Sequence, residues 1–408
     1  MKDGPLGPGE LLLARVQAPP VHELEPAVRP QPRRWTKAVL AAGLRPASIL
    51  ARALLGPARR NSMLQGARVR SLVFIKLDHL GDVIMATPIL RALHAWVPEA
   101  RITMVVRPAT ADLAARLPGV AEVLTADVPW IRPGSGVSAN LGACLALART
   151  LRARRFDLAV DLRYHNRLDS LLLSLSGARA RLGFDAGGFG FGISHCARWP
   201  REGHEAGRMA GALREFGVPV EDLAPEFPVT AADVAAAAHR AGRKGGYVAV
   251  HVGAGNAVKR WMPERFAWVG RELAARLRAP VAVLAGPGEE SHGEPLVRAL
   301  PKASCLDLRG RLGLFELAAV IKGARLFVGN DGGPGHVAAA IGTPSVIVFS
   351  GTNEASEWMP VGTRVRVVER RVPCKPCAST TCPFDQACLR KVTVDQVLRA
   401  CLETLGKG

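Results

Sequence analysis

The chain has 408 residues, 48% of them hydrophobic and only 5% aromatic, which suits two cores of ordinary size resting on Ala, Leu and Val and excludes a disordered polymer. The formal charge of +19 favours anionic partners such as nucleic acid, anionic membrane surfaces or phosphorylated substrates. Zinc-finger spacing, an aromatic RNA-binding signature and a basic heptad region are all missing, so nucleic acid is not expected, and no apolar run reaches the ~18 residues that would span a bilayer.

The first thirty residues are rich in Pro and Gly and read as disordered. Their short, acid-flanked apolar run is not the layout of a signal peptide, and the expectation is a cytoplasmic chain. Residues 26–77 carry eleven Lys and Arg and no Asp or Glu. Within them, WTKAVLAAGL and ASILARALLG read as two short helices broken by Pro46. Two readings stay open for the stretch up to residue 69, a solvated basic arm and an anchor to anionic lipid.

Short buried runs then alternate with amphipathic stretches. SLVFIKL (71–77), RITMVV (101–106) and FDLAVDL (156–162) read as strands, and VIMATPILRALHAW and TADLAARL as helices. This order implies a parallel sheet. Residues 226–245 read as a connection. A second series follows, with strands GYVAVHV (246–252), APVAVLAG (279–286), ARLFVGN (324–330) and TPSVIVFS (343–350). The expectation is an α/β chain of two doubly wound, Rossmann-like domains. They span 70–225 and 246–370, follow a 1–69 extension and precede a 371–408 tail whose helix crosses back toward the first domain. Ligands of such sheets sit at the carboxyl ends of strands, where DHLGD, GAGNAVKRW, GPGEE and NDGGPGH fall.

In DHLGD, Gly81 permits close backbone approach and Asp82 opens a helix. Asp82 is read either as a helix-dipole cap or as a general base; Asp78 and His79 are weaker candidates. NDGGPGH places Gly332 and Gly333 at a helix start, a natural diphosphate site, with Asp331 shaping the loop and His336 touching phosphate or packing inside. Lys259 and Arg260 are cations suited to a leaving diphosphate, and Glu289 and Glu290 to ribose or sugar hydroxyls. Arg107, Arg163, Arg167, Arg179 and Arg181 are candidates to meet acceptor phosphates. Cys374, Cys377, Cys382 and Cys388 form a late cluster with three open readings: bound metal, disulfide, or reduced packed thiols.

There is no GxxxxGK[ST], no GxSxG, no GxGxxG after the first strand and no Asp-x-Asp triplet, which weighs against a P-loop ATPase, an α/β-hydrolase, a dehydrogenase and a metal-diphosphate site of that type. The alternative to an enzyme is a basic scaffold or nucleic-acid-associated protein on the same fold.

Taken together, KLDHLGDVIMATPILRAL, KRW…ERFA, GPGEE, GNDGGPGHVAAAIGTPSVIVFSGT and the cysteine cluster resemble glycosyltransferase family 9, the ADP-heptose:lipopolysaccharide heptosyltransferases, over roughly residues 70–405. The resemblance implies a GT-B fold and inverting, metal-independent transfer from a nucleotide-sugar, ADP-heptose, to a phosphorylated glycolipid at the inner face of the cell membrane, with no cofactor. It places the catalytic aspartate on Asp82, the donor lysine on Lys259 and the acidic ribose contact near Glu289 or Glu290. The diphosphate loop falls on Asp331, Gly332, Gly333 and His336. Two departures stand out. Family members usually have Asp-Thr-Gly where this chain has Asp331-Gly332-Gly333, and Trp-Pro where it has Trp261-Met262.

Overall fold

The structure, a computed structural model, describes residues 63–128, 136–164, 167–186 and 190–406. The basic stretch before residue 63, with its expected helices on either side of Pro46, lies outside the described residues. The chain forms two compact units that divide between Leu223 and Ala224.

In the first unit, β1 (Ser71–Lys76), β2 (Arg101–Val106), β3 (Val120–Thr125), β4 (Leu158–Asp161), β5 (Ala180–Phe184) and β6 (His195–Ala197) make one parallel sheet ordered β3-β2-β1-β4-β5-β6. Its helices are α1 (Leu80–Met85), α2 (Thr87–Trp96), α3 (Ala111–Arg116), α4 (Val137–Arg154), α5 (Arg167–Leu175) and α6 (Glu205–Glu215). β1 is buried along its whole apolar run, as a strand covered on both faces must be. The stretch expected as one helix over VIMATPILRALHAW is two, separated at Ala86, with Pro88 in the first turn of α2 where its missing N–H costs nothing.

In the second unit, β7 (Tyr247–His251), β8 (Val281–Leu284), β9 (Cys305–Asp307), β10 (Ala324–Asn330), β11 (Ser345–Val348) and β12 (Val365–Val368) form a second parallel sheet ordered β12-β11-β10-β7-β8-β9. The helices are α7 (Ala231–Ala241), α8 (Pro263–Leu277), α9 (Glu294–Ala299), α10 (Leu314–Gly323), α11 (Gly333–Ala340), α12 (Ala355–Trp358), α13 (Ala387–Arg390) and α14 (Val394–Thr404). α7 lies inside the 226–245 stretch. It is closed by a Thr230–Asp233 capping box and by Gly242 in the left-handed region, and it packs on α10. Two parallel sheets with the doubly wound strand order of Rossmann folds match the expected class.

β3, β9 and β12 escape a reading keyed to continuous apolar runs because they are edge strands, only partly buried. The tail helix belongs to the second unit's core: Val397, Leu398 and Cys401 of α14 are buried there beside Trp261 and Phe266, and α14 packs on α8, β11 and β12. Its apolar face is spent where burial of each such side chain is worth about 1.5–3 kcal/mol.

In each sheet the order reverses between two adjacent strands, β1 and β4 in the first and β7 and β10 in the second. The carboxyl ends of those pairs carry Asp82, Lys259 and the Asp331 loop, and Glu289 and Glu290 follow the neighbouring strand β8.

Candidate functional site

The first unit's switch point is a buried charge cluster. Lys76 ends β1 with its side chain buried, and its Nζ lies 2.8 Å from Asp78 Oδ2. Arg163, just after β4, places Nε 2.8 Å from Asp78 Oδ1 and Nη1 3.3 Å from Asp169. The Arg163 N–H donates to Asp161 Oδ1 at 3.1 Å. Asp161 Oδ2 is buried without a hydrogen-bond partner. Burial, then the charges of Asp169 and Asp78, push the Asp161 carboxyl well above its usual range. A second charge there would stand uncompensated.

Asp82 sits in the first turn of α1, part-exposed, where one oxygen accepts the His79 N–H at 3.2 Å. Its pKa is raised, first by desolvation and then by Asp78, while Lys76, Arg163 and His79 oppose the shift. Asp78 moves the other way: burial would raise it, but Lys76 and Arg163 outweigh that and hold it ionised. Lys76 is likewise held charged, because Asp78, Asp82 and Glu205 outweigh its burial. Glu205, at the start of α6, is buried and pushed up to about 7 by desolvation, with Lys76 and Arg208 pulling down and Asp82 and Asp78 adding. The arrangement keeps one carboxylate, Asp82, at the surface of a balanced ionic base, with an affinity for protons above the ordinary.

The expected acceptor arginines separate. Arg107 Nη1 meets His79 Nδ1 at 3.3 Å, beside Asp82. Arg163 is consumed by Asp78 and Asp169. Arg179 and Arg181 stand at the opposite end of the sheet, where β5 begins. Arg179 pairs with Asp157 at 3.2 Å, and Arg181 donates to the Gly192 and Ala178 carbonyls at 2.5 and 2.6 Å. Neither can serve a ligand at the carboxyl ends of these strands. Lys76, Asp161, Asp169 and Glu205 escaped the sequence reading. Only the unusual placement of a lysine and an aspartate inside apolar strands signals them.

The second unit's switch point gathers the donor candidates. Lys259, in the loop after β7, lies 2.5 Å from Asp331 Oδ2 after β10. Asn353, another residue the sequence did not reveal, accepts from Lys259 Nζ at 2.9 Å and donates to the Thr352 carbonyl in the amide orientation that satisfies both ends. Asn330 ties the two loops together. Its Nδ2 donates to the Val252 and Gly253 carbonyls at 2.9 and 3.1 Å, and its Oδ1 accepts the Trp261 N–H at 2.9 Å. Trp261 is fully buried, and its indole N–H reaches the Val392 carbonyl at 3.2 Å, so Met262 in place of proline leaves this anchor intact.

Asp331 is buried; Gly332 and Gly333 are partly exposed at the N-terminus of α11, and His336 is buried on its inner side. Pro334 removes one of the helix's free donors, and the Gly335 N–H turns back to the Gly332 carbonyl at 3.1 Å. That leaves the Gly332 and Gly333 N–H groups as donors at the positive end of the helix.

The two glutamates diverge. Glu289 folds under the β7 loop: its Oε1 lies 3.5 Å from Arg260 and its Oε2 accepts the Gly286 N–H at 3.3 Å. A Cβ on Gly253 would fall 1.9 Å from Oε2, so a side chain at this position would push the carboxylate out of its present place. Arg260 also donates to the Ala254 carbonyl at 2.8 Å and approaches His292 Nε2 at 3.0 Å. Glu290 is exposed, and its backbone carbonyl accepts from Arg309 toward the β9 side. Burial lowers the His251 pKa, against the pull of Glu289.

Cys374, Cys377, Cys382 and Cys388 line one small cavity with Val258, Gly351 and Thr352. None of them forms a disulfide. Burial, then the neighbouring thiols, raise Cys374. Among the described residues no group of three or more His, Cys, Asp or Glu side chains is arranged to hold a metal ion, and no helix is long and apolar enough to cross a membrane.

Known proteins share this architecture. Lipopolysaccharide heptosyltransferase 3 of Escherichia coli strain K12 is 27% identical over 293 residues, which cover 69% of this chain and 82% of that protein. The crystal structure of a family 9 glycosyl transferase from Veillonella parvula superposes with a TM-score of 0.72 at 23% identity, covering 85% of this chain and all of that one. An E. coli heptosyltransferase solved with ADP superposes with a TM-score of 0.63 at 17% identity, covering 82% of this chain and 99% of that one. The sequence model described as Glycosyltransferase family 9 (heptosyltransferase) matches residues 144–388, which run through both units and include the Lys259, Glu289 and Asp331 loops. Asp82 precedes that match, so its identification stands on its place at the end of β1. With more than half of its length matched, this chain is a glycosyltransferase and belongs to family 9.

Proposed function

We propose that the enzyme transfers heptose from ADP-heptose to a lipopolysaccharide-core acceptor with inversion. The acceptor hydroxyl oxygen attacks the anomeric carbon, its proton passes to Asp82, and the bond from that carbon to the diphosphate breaks to release ADP. The observation that carries this reading is Asp82 itself. It is a carboxyl at the open end of β1 with a raised proton affinity, resting on the Lys76–Asp78–Arg163 ion network. A base so tuned accepts a proton more readily than an ordinary aspartate.

The donor falls to the second unit. Lys259 and the Gly333 N–H receive the diphosphate, which spreads its charge without invoking a metal. Glu289, beside the Lys259 loop, takes the ribose hydroxyls rather than Glu290, which faces the β9 side. Arg107, next to His79, meets an acidic group of the acceptor. The names of the relatives support heptose, ADP and lipopolysaccharide core as the substrates. A non-catalytic scaffold does not fit membership in a family of enzymes. The basic segment before residue 70 would hold the enzyme to the anionic inner face of the membrane, where such an acceptor is presented.

The test is direct. Purified enzyme is given ADP-heptose and heptose-deficient lipopolysaccharide core, and the product is read by mass and by the anomeric NMR coupling. Transfer with inverted configuration is expected. Transfer from a uridine-linked sugar but not from ADP-heptose would overturn the donor, and a retained configuration would overturn the single displacement.

A further inference from the structure

The late cysteine segment has no part in the chemistry above, yet it touches both segments that bracket Lys259. On one side, Gln386 Nε2 donates to the Ala257 carbonyl at 3.0 Å and Asn256 Nδ2 donates to the Ser379 carbonyl at 3.4 Å. Asn256 and Ala257 belong to the short turn Asn256–Lys259 that presents the lysine, and Val258 of that turn lines the cysteine cavity. On the other side, the Cys377 N–H donates to the Gly351 carbonyl at 2.9 Å and the Ala378 N–H to the Thr352 carbonyl at 3.1 Å. Asn353, whose amide accepts from Lys259 Nζ, comes next. The buried Lys375 then pairs with Glu354 at 3.4 Å and with Glu369.

We infer that residues 374–388 are a positioning element for the donor site, which clamps the Asn256–Lys259 turn to the Gly351–Asn353 turn and so fixes where the Lys259 ammonium stands. The inference rests on the reading of Lys259 as a diphosphate ligand. Its physical basis is the lysine side chain, a flexible four-carbon stem whose rotamer freedom must be paid down before its charge is useful. Lys259 is itself only partly exposed, held at its tip by Asp331 and Asn353, while the cysteine segment holds Asn256 and Ala257 of its turn. A diphosphate meets an ammonium already in place, which is how preorganisation raises affinity without adding a contact to the ligand. The four thiols line a small cavity with Val258, Gly351 and Thr352, behind the turn that presents Lys259.

The experiment is a double-mutant cycle read by ADP titration calorimetry on the full chain. The clamp variant is Asn256→Ser with Gln386→Ala. Serine retains a hydroxyl that can cap the turn through the Val258 N–H, as Asn256 does now. Gln386 occupies the left-handed region at φ 53°, a strain that alanine also bears, so the change removes the amide and one methylene without altering the backbone demand. The expected result is ADP binding weakened about threefold to tenfold, an unchanged melting temperature, and a donor KM raised more than kcat is lowered. In a Lys259→Ala background the same pair should add no further loss, because its effect passes through the lysine. An unchanged ADP affinity in the clamp variant, or an equal loss in the Lys259→Ala background, overturns the positioning role. A clamp variant with a lowered melting temperature but the full wild-type affinity also overturns it, since that outcome describes a purely structural segment. Failure of the wild-type enzyme to bind ADP overturns the donor reading itself, and this inference with it.

Discussion

Lys259 Nζ stands 2.5 Å from Asp331 Oδ2, across 72 residues of sequence. The ammonium proposed to receive a diphosphate is thus already engaged by a buried carboxylate. Asp331 sets the position of the charge and at the same time competes for it. Asn353 supplies a neutral third contact.

Two substitutions separate these roles. Lys259→Ala is expected to weaken ADP binding by roughly 10- to 100-fold, in line with a charge-assisted hydrogen bond of ~1.5–3 kcal/mol, with a larger loss at low salt because the lost contact is between charges. Asp331→Asn is expected to tighten ADP binding severalfold and to lower the melting temperature, because it releases the lysine while breaking a largely buried pair. Calorimetry at two salt concentrations, with thermal melts alongside, reads both. Equal salt dependence in wild type and Lys259→Ala would remove the lysine from the phosphate.

Asp82→Asn preserves shape and removes the base. Turnover is expected to fall by about 10²–10⁴, with ADP affinity unchanged. The wild-type rate should decline as pH falls through the Asp82 pKa, which desolvation and Asp78 place above the usual aspartate value. Near-normal turnover in the asparagine variant would reduce Asp82 to a helix cap.

Glu205 gives a stability prediction. Its carboxyl rises from 4.5 to about 7 in the fold, mainly by desolvation. Between those values the folded chain holds a proton that the unfolded chain has lost, so stability falls as pH rises across that window. Glu205→Gln keeps the neutral form at every pH. It should match wild type near pH 4, below the unfolded value, and exceed it at pH 8 by up to about 3.4 kcal/mol, the full shift at 1.36 kcal/mol per unit. Denaturant melts at the two pH values decide. A glutamine variant less stable than wild type at pH 8 would mean that the pairing with Lys76 and Arg208 outweighs the burial.

The basic extension predicts an anchor. Full-length enzyme is expected to sediment with anionic vesicles, to be released by salt, and to ignore neutral vesicles. A chain starting at residue 70 should stay in the supernatant and still act on a soluble acceptor fragment. Equal sedimentation of the two would move the membrane contact elsewhere.

Much of this protein was legible from short-range pattern. The runs of β1, β2, β4, β7, β8, β10 and β11 are apolar on both faces because a parallel sheet is covered on both, so seven strands and the two-domain architecture follow from composition within windows of a few residues. The glycine-rich turn before α11 and the loop around Asp82 announce themselves the same way, since glycine at the start of the helix that follows an apolar strand is a local signature. Edge strands such as β3 and β12 carry no such run. What the tertiary structure alone decided is which charge meets which. Arg163 reaches Asp78, Lys259 reaches Asp331, Glu289 occupies the space that Gly253 leaves open, and the tail helix closes the core beside Trp261. It also removed Arg179 and Arg181 from the site by setting them at the far end of β5. The Lys259–Asp331 and Trp261–Val392 partners lie 72 and 131 positions apart. A charged side chain carries no mark of its partner in the residues beside it, because burial and pairing are settled only when the strands that bear them are laid side by side.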